Sequence, residues 1–240
     1  MQSTTYVSLS QQSALSQVMD VLANDMANMS TPGFKVEMPV SKEYPVSLGS
    51  GQTVSYVSDV GVWRDARQGD LTYTANPLDI GIDGNGYLNV STPEGTRYTR
   101  NGRFQIGPNN QLVTSQGYPV LSDQQQPITL PAGAGAVVIG SDGTVMTRNG
   151  TTIGKLGLSQ FSDPEQLVPQ EDGLYVTEAK PTPDTTSLVK QGTLESSNAQ
   201  PIVLLTKLMA VQRAYSDAQS MAENEDTRIK NALDKLSAPT

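Results

Sequence analysis

The sequence predicts an α+β protein: a mostly antiparallel β domain inserted between N- and C-terminal helices that form a coiled-coil-like pair. Two apolar heptad stripes, one near each terminus, and a central region of short β-forming runs support this fold class. We expect a terminal helical domain from residues 1–33 and 198–240, extended connecting segments at residues 34–66 and 178–197, and a β-rich domain at residues 67–177.

The C-terminal stripe alternates steps of four and three residues, which is the spacing of a coiled-coil seam. Its positions are Leu204, Leu208, Val211, Tyr215, Ala218, Ala222, Glu225, Ile229, Ala232 and Leu236. Asn198 is a candidate N-cap, and Pro201 is acceptable in the first turn because its missing N–H has no helical partner there. No Gly or Pro then interrupts the run before Pro239, so we expect one long helix.

The N-terminal stripe has the same rhythm but is much shorter. Its positions are Leu15, Met19, Leu22, Met26 and Met29. We expect a helix over residues 6–29, stopped by the Thr31-Pro32-Gly33 segment. Because the short stripe cannot cover the long one, other copies or other proteins are expected to complete the burial. Asn24 and Asn28 are spaced to hydrogen-bond across such an interface. The predicted assembly interface consists of these two asparagines and the apolar positions of both stripes, except Ala232.

The region from about residue 69 to residue 176 consists of β-forming runs separated by turn signals. The signals are Gly84-Asn85-Gly86, Pro93-Glu94-Gly95, Asn101-Gly102, Asn109-Asn110, Asp142-Gly143 and Asn149-Gly150. Asp-Gly and Asn-Gly favour hairpins because both central residues of a type I′ turn need positive φ. Residues 136–139 and 144–147 form the clearest predicted hairpin. Residues 53–57 are interpreted as a strand or an extended arm, and residues 178–186 as a linker.

Composition and charge exclude several functions. The chain has no Cys and no His, which removes thiol nucleophiles, Ser-His-Asp triads, disulfides and Zn or Fe sites built on these residues. The net charge of −8, without a basic stripe, argues against nucleic acid and anionic membrane surfaces. No run reaches transmembrane length, and the first residues lack the features of a cleaved signal peptide. We expect no catalytic residue, metal, cofactor or direct membrane insertion.

Two local features have a simple structural interpretation beside a functional one. The stretch from Asp79 to Asn85 is similar to a calcium loop, but Gly81 occupies a ligand position and Val90 stands where a Glu is needed. A strand followed by a tight turn is the preferred interpretation. Trp63 is either an anchor of an interface or a core residue of the β domain.

Four sequence blocks resemble the signatures of the flagellar basal-body rod and hook protein family, and they occur in the family's order. The blocks are residues 23–35, residues 69–87, residues 98–104, and residues 191–198 with 212–215. The matching motif residues are Thr31, Pro32, Gly33, Phe34, Lys35, Pro77, Leu78, Asp79, Gly84, Gly86, Leu194, Glu195, Ser197, Asn198, Gln212 and Arg213. The chain departs from the usual pattern at Asp25, where the family has Asn, and at Ala199, where it has Val.

The resemblance implies a structural subunit of the rod, without enzymatic activity. Family members are exported unfolded by the flagellar type III system without a cleaved signal. They polymerise helically into the drive shaft that crosses the periplasm and transmits torque. Their terminal helices form an inner tube around the export channel, with the β domain outside. The implied partners are other copies, neighbouring rod proteins, the export apparatus and the distal rod. The chain's length and its Thr31–Glu37 block are more similar to the proximal-rod type than to the distal-rod type.

Two other functions stay open at the level of sequence. The terminal helices could close into a coiled coil that presents the β domain to another partner, as in an adaptor. Alternatively, a hydrolase could use paired carboxylates chosen from Glu94, Asp142, Glu171 and Asp172, provided that folding brings two of them together. Each of these acids lies beside a turn residue, so solvated turn acids are the preferred interpretation.

Overall fold

The computed structural model describes residues 2–48, 52–131 and 137–237, and the chain divides into two compact units. Unit 1 combines Met1–Ala27, Glu37–Asp65 and Gln200–Thr240, while unit 2 combines Asn28–Val36 and Ala66–Ala199. Each unit is therefore assembled from segments that are distant in sequence.

Unit 1 contains both helices and one long hairpin. Its elements are α1 (Gln2–Ala27), β1 (Glu37–Leu48), β2 (Gln52–Arg64) and α2 (Pro201–Ser237). The two strands pair antiparallel from Glu37 opposite Arg64 to Leu48 opposite Gln52, with one irregularity between Ser41 and Lys42. Helix α1 packs against α2 and against the hairpin.

Unit 2 is built from short strands, and all of its strand pairs in the described residues are antiparallel. The strands are β3 (Leu71–Tyr73), β4 (Ile80–Asp83), β5 (Tyr87–Thr92), β6 (Gly95–Thr99), β7 (Phe104–Ile106), β8 (Leu112–Thr114), β9 (Val137–Ile139), β10 (Thr144–Thr147), β11 (Thr152–Lys155), β12 (Leu158–Gln160), β13 (Val168–Pro169), β14 (Leu174–Val176), β15 (Thr182–Pro183), β16 (Leu188–Gln191) and β17 (Thr193–Glu195). The largest sheet has the order β13-β14-β6-β5-β12-β15, and a second sheet has the order β11-β10-β9. The pairs β16-β4, β17-β3 and β7-β8 complete the unit.

Two groups of buried side chains hold unit 2 together. The main core contains aliphatic residues such as Ile80, Leu88 and Val145, none of which is exposed to solvent. A smaller aromatic group places the rings of Tyr98 and Phe161 edge to face, with centroids 4.8 Å apart. Such ring pairs add directional stabilisation to the burial of apolar area.

The expected fold class was wrong about the balance of its parts, because β-structure dominates and the two helices pair only in part. Within the predicted connecting segment at residues 34–66, β1 and β2 pair antiparallel as a hairpin. The return segment is also in strands, with β15, β16 and β17 each hydrogen-bonded to an earlier strand. Local sequence did not show these partners, because each return strand pairs with a segment far away in the chain.

Four of the six turn signals join paired strands, as predicted. The exceptions are Gly84-Asn85-Gly86 and Asn101-Gly102, where the flanking strands do not pair with each other. A Cβ on Gly102 would lie 1.7 Å from the carbonyl oxygen of Ile80. This glycine is therefore required for a close backbone approach instead of a hairpin turn.

Candidate functional site

The heptad stripe of α2 is the most buried side of that helix within unit 1. Leu204 and Ala218 are each only 3% exposed. Leu208, Val211, Tyr215, Ala222 and Ile229 are intermediate in exposure, and the side chain of Leu236 lies outside the described residues. On α1, Leu22 is buried and Leu15, Met19 and Met26 are intermediate. Part of each stripe therefore keeps accessible surface.

A second apolar face of α2 is exposed. Ile202 is 82% exposed, Leu205 is 49% exposed and Met209 is 47% exposed. Their spacing places them on one face, and at about 100° per residue that face points away from the heptad stripe. We call Ile202, Leu205 and Met209 the outer stripe. The heptad pattern did not reveal it, because the outer stripe covers only the first turns of the helix.

The end of α1 differs from the expected helix of residues 6–29. The helix ends at Ala27, so Asn28 and Met29 lie beyond it, and Asn24 and Asn28 do not share a helical face. The carbonyl and side-chain oxygens of Asn28 instead accept hydrogen bonds from the N–H and the hydroxyl of Thr31. Local turn formation ends the helix before the Pro32-Gly33 pair is reached.

The family motifs of unit 2 converge on one buried carboxylate. The Glu195 side chain is completely inaccessible, and its Oε1 accepts hydrogen bonds from Lys35 Nζ and from the backbone N–H of Gly69. Its Oε2 accepts from Arg100 Nη1 at 3.2 Å. Its backbone carbonyl accepts from the N–H of Gly33 at 2.8 Å. We call the Lys35, Arg100 and Glu195 side chains the ion hub.

Two further hydrogen bonds of the ion hub join other segments to it. Lys35 Nζ donates to the carbonyl of Arg67 at 2.8 Å, and Arg100 Nη2 donates to the carbonyl of Gly84 at 2.6 Å. The guanidinium of Arg100 also lies 5.0 Å from the ring centre of Tyr87. Buried charges are tolerated when they are paired and hydrogen-bonded in this way. Each of the four motif blocks thus contributes at least one residue to this structural centre.

Asn198 does not cap α2, contrary to the prediction. Its Oδ1 accepts from the backbone N–H of Val36 at 2.8 Å, and its Nδ2 donates to the carbonyl of Arg67 at 3.1 Å. Helix α2 begins at Pro201, and the carbonyl of Gln200 accepts its first helical hydrogen bond from the N–H of Leu204. The Asn198 side chain is therefore committed to joining segments of unit 2.

The other motif residues have ordinary structural roles. Leu194 is buried, Leu78 packs against the core, and the N–H of Gly86 donates to the hydroxyl of Ser187. The carbonyl of Pro77 accepts from Gln191 at 2.7 Å, and the hydroxyl of Ser197 accepts from the N–H of Ala199. Gln212 and Arg213 are exposed on α2, while Thr31, Pro32 and Phe34 are half-buried.

The calcium-like stretch forms the predicted strand and tight turn. Asp79 is buried, and its Oδ1 accepts from Asn76 at 2.9 Å. Gly84 follows strand β4 with a φ of +134°, a conformation that L side chains rarely adopt. No group of three or more Asp or Glu side chains in the described ranges is arranged to hold a metal ion.

Three of the four candidate carboxylates line one open groove of about 420 Å³, which the sequence did not predict. Glu94, Glu171 and Asp172 are all exposed, and Glu94 forms an ion pair with Arg97 at 3.0 Å. Catalytic acids are typically buried in an apolar pocket, which this groove does not provide. Asp142 lies at the β9–β10 turn, where hydrogen bonds from Thr144 lower the pKa of its carboxyl. These are solvated turn acids, as the preferred interpretation held.

Trp63 lies in β2 of unit 1 and is 42% exposed, so the alternative of a core residue in the β domain was wrong. Its role as an interface anchor stays a prediction.

Helices α1 and α2, over the residues described, are too polar to cross a membrane.

The described residues thus form a β-rich unit held together by a buried ion hub and a helical unit with an exposed apolar face, which is the architecture of a structural protein. Two family models match the chain: the flagellar hook protein FlgE/F/G D1 domain over residues 81–147, and the flagellar basal body rod FlgEFG protein C-terminal region over residues 190–235. Neither match reaches α1 or the β1–β2 hairpin.

Curated relatives extend the similarity along the whole chain. The flagellar basal-body rod protein FlgF of Caulobacter vibrioides is 37% identical, over 98% of both chains. FlgF of Mesorhizobium japonicum is 35% identical over 96% of this chain and 98% of its own. FlgG of Buchnera aphidicola subsp. Baizongia pistaciae is 33% identical over 88% of this chain and 91% of its own.

The chain belongs to the flagellar basal-body rod protein family, and within that family it is most like FlgF. It is a structural subunit of the basal body of the bacterial flagellum, and the family is not a family of enzymes. Membership implies assembly with other flagellar rod subunits.

Proposed function

We propose that this chain is a proximal-rod subunit that polymerises helically through unit 1, transmits torque along the rod and surrounds the export channel. In this proposal α1 and α2 form part of an inner tube, and unit 2 lies on its outside. The subunit reaches the rod across the periplasm through the flagellar type III route without a cleaved signal. Its partners are other copies, neighbouring rod proteins, the export apparatus and the distal rod.

The observation that supports the proposal best is the outer stripe. Its three side chains are 47–82% exposed, and full burial of one such side chain stabilises a contact by about 1.5–3 kcal/mol. In an isolated subunit this apolar face contacts water, whereas a neighbouring subunit could bury it. The half-buried stripe positions Leu208, Val211 and Tyr215 keep their predicted role, because a neighbour could also cover their remaining surface.

The proposal is tested by replacing Ile202, Leu205 and Met209 together with Ser in a host that lacks its own copy of the gene. We expect the purified variant to keep its helical circular dichroism, because the outer stripe is exposed in the subunit. Swimming in soft agar should be lost, and electron micrographs should show no completed rods. The matched control replaces Gln219, Asn224 and Asn231 with Ser, because these are exposed polar residues of the same helix outside the family motif. Normal swimming of the triple variant would overturn this use of α2.

Similarity to FlgG makes the distal rod the specific alternative to the proximal rod. A high-resolution map of purified basal bodies distinguishes the two positions. The proximal proposal requires the chain in the rod wall beside the export gate, with neighbours covering Leu208 and Val211. A position nearer the hook would refute it while leaving the family assignment intact.

A further inference from the structure

Asp25, in the last turn of α1, is a buried carboxylate with few hydrogen-bond donors. The residue is 0% exposed. Its Oδ1 accepts a hydrogen bond of 3.0 Å from the backbone N–H of Glu37, the first residue of β1. Its Oδ2 is buried and has no hydrogen-bond partner within the described part of the chain. Because an ionised carboxylate can accept several hydrogen bonds, this site stabilises the charged form poorly.

The charges around Asp25 do not compensate for its burial. Glu37 on β1 is a like charge, although it also pairs with Arg64 of β2 at 3.6 Å. Lys207 on α2 is the opposing charge, but its side chain is exposed. The position of Asp25 near the C-terminus of α1 adds the negative end of the helix dipole. Burial is the largest effect and raises the pKa of Asp25 from 3.8 to about 6, against the lowering effects of the Glu37 N–H and Lys207.

The two oxygens of Asp25 differ as sites for a proton, because, among the residues that the structure describes, only Oδ1 already accepts a hydrogen bond. A proton placed on Oδ2 removes the buried charge and leaves Oδ1 free to keep its hydrogen bond from Glu37. The neutral acid therefore keeps the link between the end of α1 and the start of β1. The ionised form keeps the same link but adds an uncompensated buried charge beside Glu37.

We propose that Asp25 is a proton-dependent lock on unit 1, whose protonation tightens the packing of α1 against β1 and α2. This inference concerns regulation of the helical unit, and it goes beyond the proposed position in the rod. The surface of unit 1 proposed to contact neighbours would then belong to a more stable unit at acidic pH than at neutral pH.

The direction of the effect follows from linkage. The folded unit holds the Asp25 proton more tightly than the unfolded chain does, since the pKa is about 6 in the fold and 3.8 without it. Folding therefore takes up a proton between these two values, and the stability of unit 1 falls as the pH rises through this window. Above this window the stabilisation from the Asp25 proton is lost completely, and below it Asp25 is protonated in the folded unit.

The first test follows the side-chain carboxyl carbon of Asp25 by NMR in the full chain labelled with ¹³C-aspartate. The signal is assigned by its absence in Asp25→Asn. We expect its midpoint near pH 6, well above the ordinary carboxyl value of 3.8. A midpoint within about half a unit of the ordinary aspartate value would overturn the proposal.

The second test compares the helix melting temperature, followed at 222 nm, between about pH 7.5 and about pH 5. Wild type should melt higher at the lower pH. Asp25→Asn keeps the shape of the side chain without its charge, so it should lose most of this rise and melt higher than wild type at neutral pH. The control variant Asp20→Asn should keep the rise. An equal rise in Asp25→Asn and wild type would show that another group is responsible.

Discussion

Glu195 is the single residue on which the ion hub depends. It is the acceptor shared by Lys35 and Arg100, and both cations are at most 3% exposed. Replacing it with Gln keeps the shape but leaves two buried positive charges without a counter-charge. Breaking a buried pair by removing one partner typically costs about 3–5 kcal/mol. We expect Glu195→Gln to lower the free energy of unfolding of unit 2 by about this amount.

Urea unfolding, followed by the near-ultraviolet circular dichroism of the aromatic group in unit 2, measures this loss. The control is Glu94→Gln, which removes an exposed ion pair with Arg97 and should cost less than about 1 kcal/mol. Equal midpoints for the two variants would contradict the role given to the ion hub.

Comparing Gly33 with Gly150 distinguishes the cost of a positive φ from the cost of steric crowding. Both glycines have positive φ, +72° and +83°, so an Ala at either position should cost about 1–2 kcal/mol for the left-handed backbone. A Cβ at Gly33 would lie 2.5 Å from the carbonyl carbon of Arg100, whereas a Cβ at Gly150 would meet nothing within 4 Å. We expect Gly33→Ala to cost a further ~1–3 kcal/mol in urea unfolding. Similar losses for both variants would mean that Arg100 moves aside without penalty.

The sequence predicted the helices better than the long hairpin at the level of elements. Helical period and the Pro201 start located α2 to within a few residues, since period and capping are local signals. In β1, Pro39 and Pro45 suggested an irregular segment. Both prolines instead lie in β1, which pairs with β2.

Prolines also lie at the open edges of the large sheet. Its outermost strands are β13 and β15, and each contains a proline, Pro169 and Pro183. A proline at an edge removes a donor that another chain could use for strand pairing. From sequence, Pro183 was placed in a linker, because its position at a sheet edge depends on pairing with distant residues.

The candidate sites were predictable in part. Lys35 and Glu195 were identified as motif residues through resemblance, but their pairing across 160 residues of sequence needed the fold. The outer stripe was missed because a short apolar face is hidden in a helix that already has a strong heptad. Asp25 was noted only as a departure from the family pattern, since its burial depends on segments that meet in three dimensions.

The division of the whole molecule into two units leads to the final prediction. Deleting residues 204–240 removes most of α2 from unit 1 but leaves every segment of unit 2 present. Unit 2 keeps its aliphatic core, aromatic group and ion hub, all formed by its own residues. We therefore expect the dispersed methyl NMR signals of Ile80 and Leu88 to match those of the full chain. Swimming should be abolished, because the helix proposed to join neighbours is gone. Immunoblots of exported protein provide the control for secretion, and collapse of the methyl spectrum or continued swimming would contradict the separate roles of the two units.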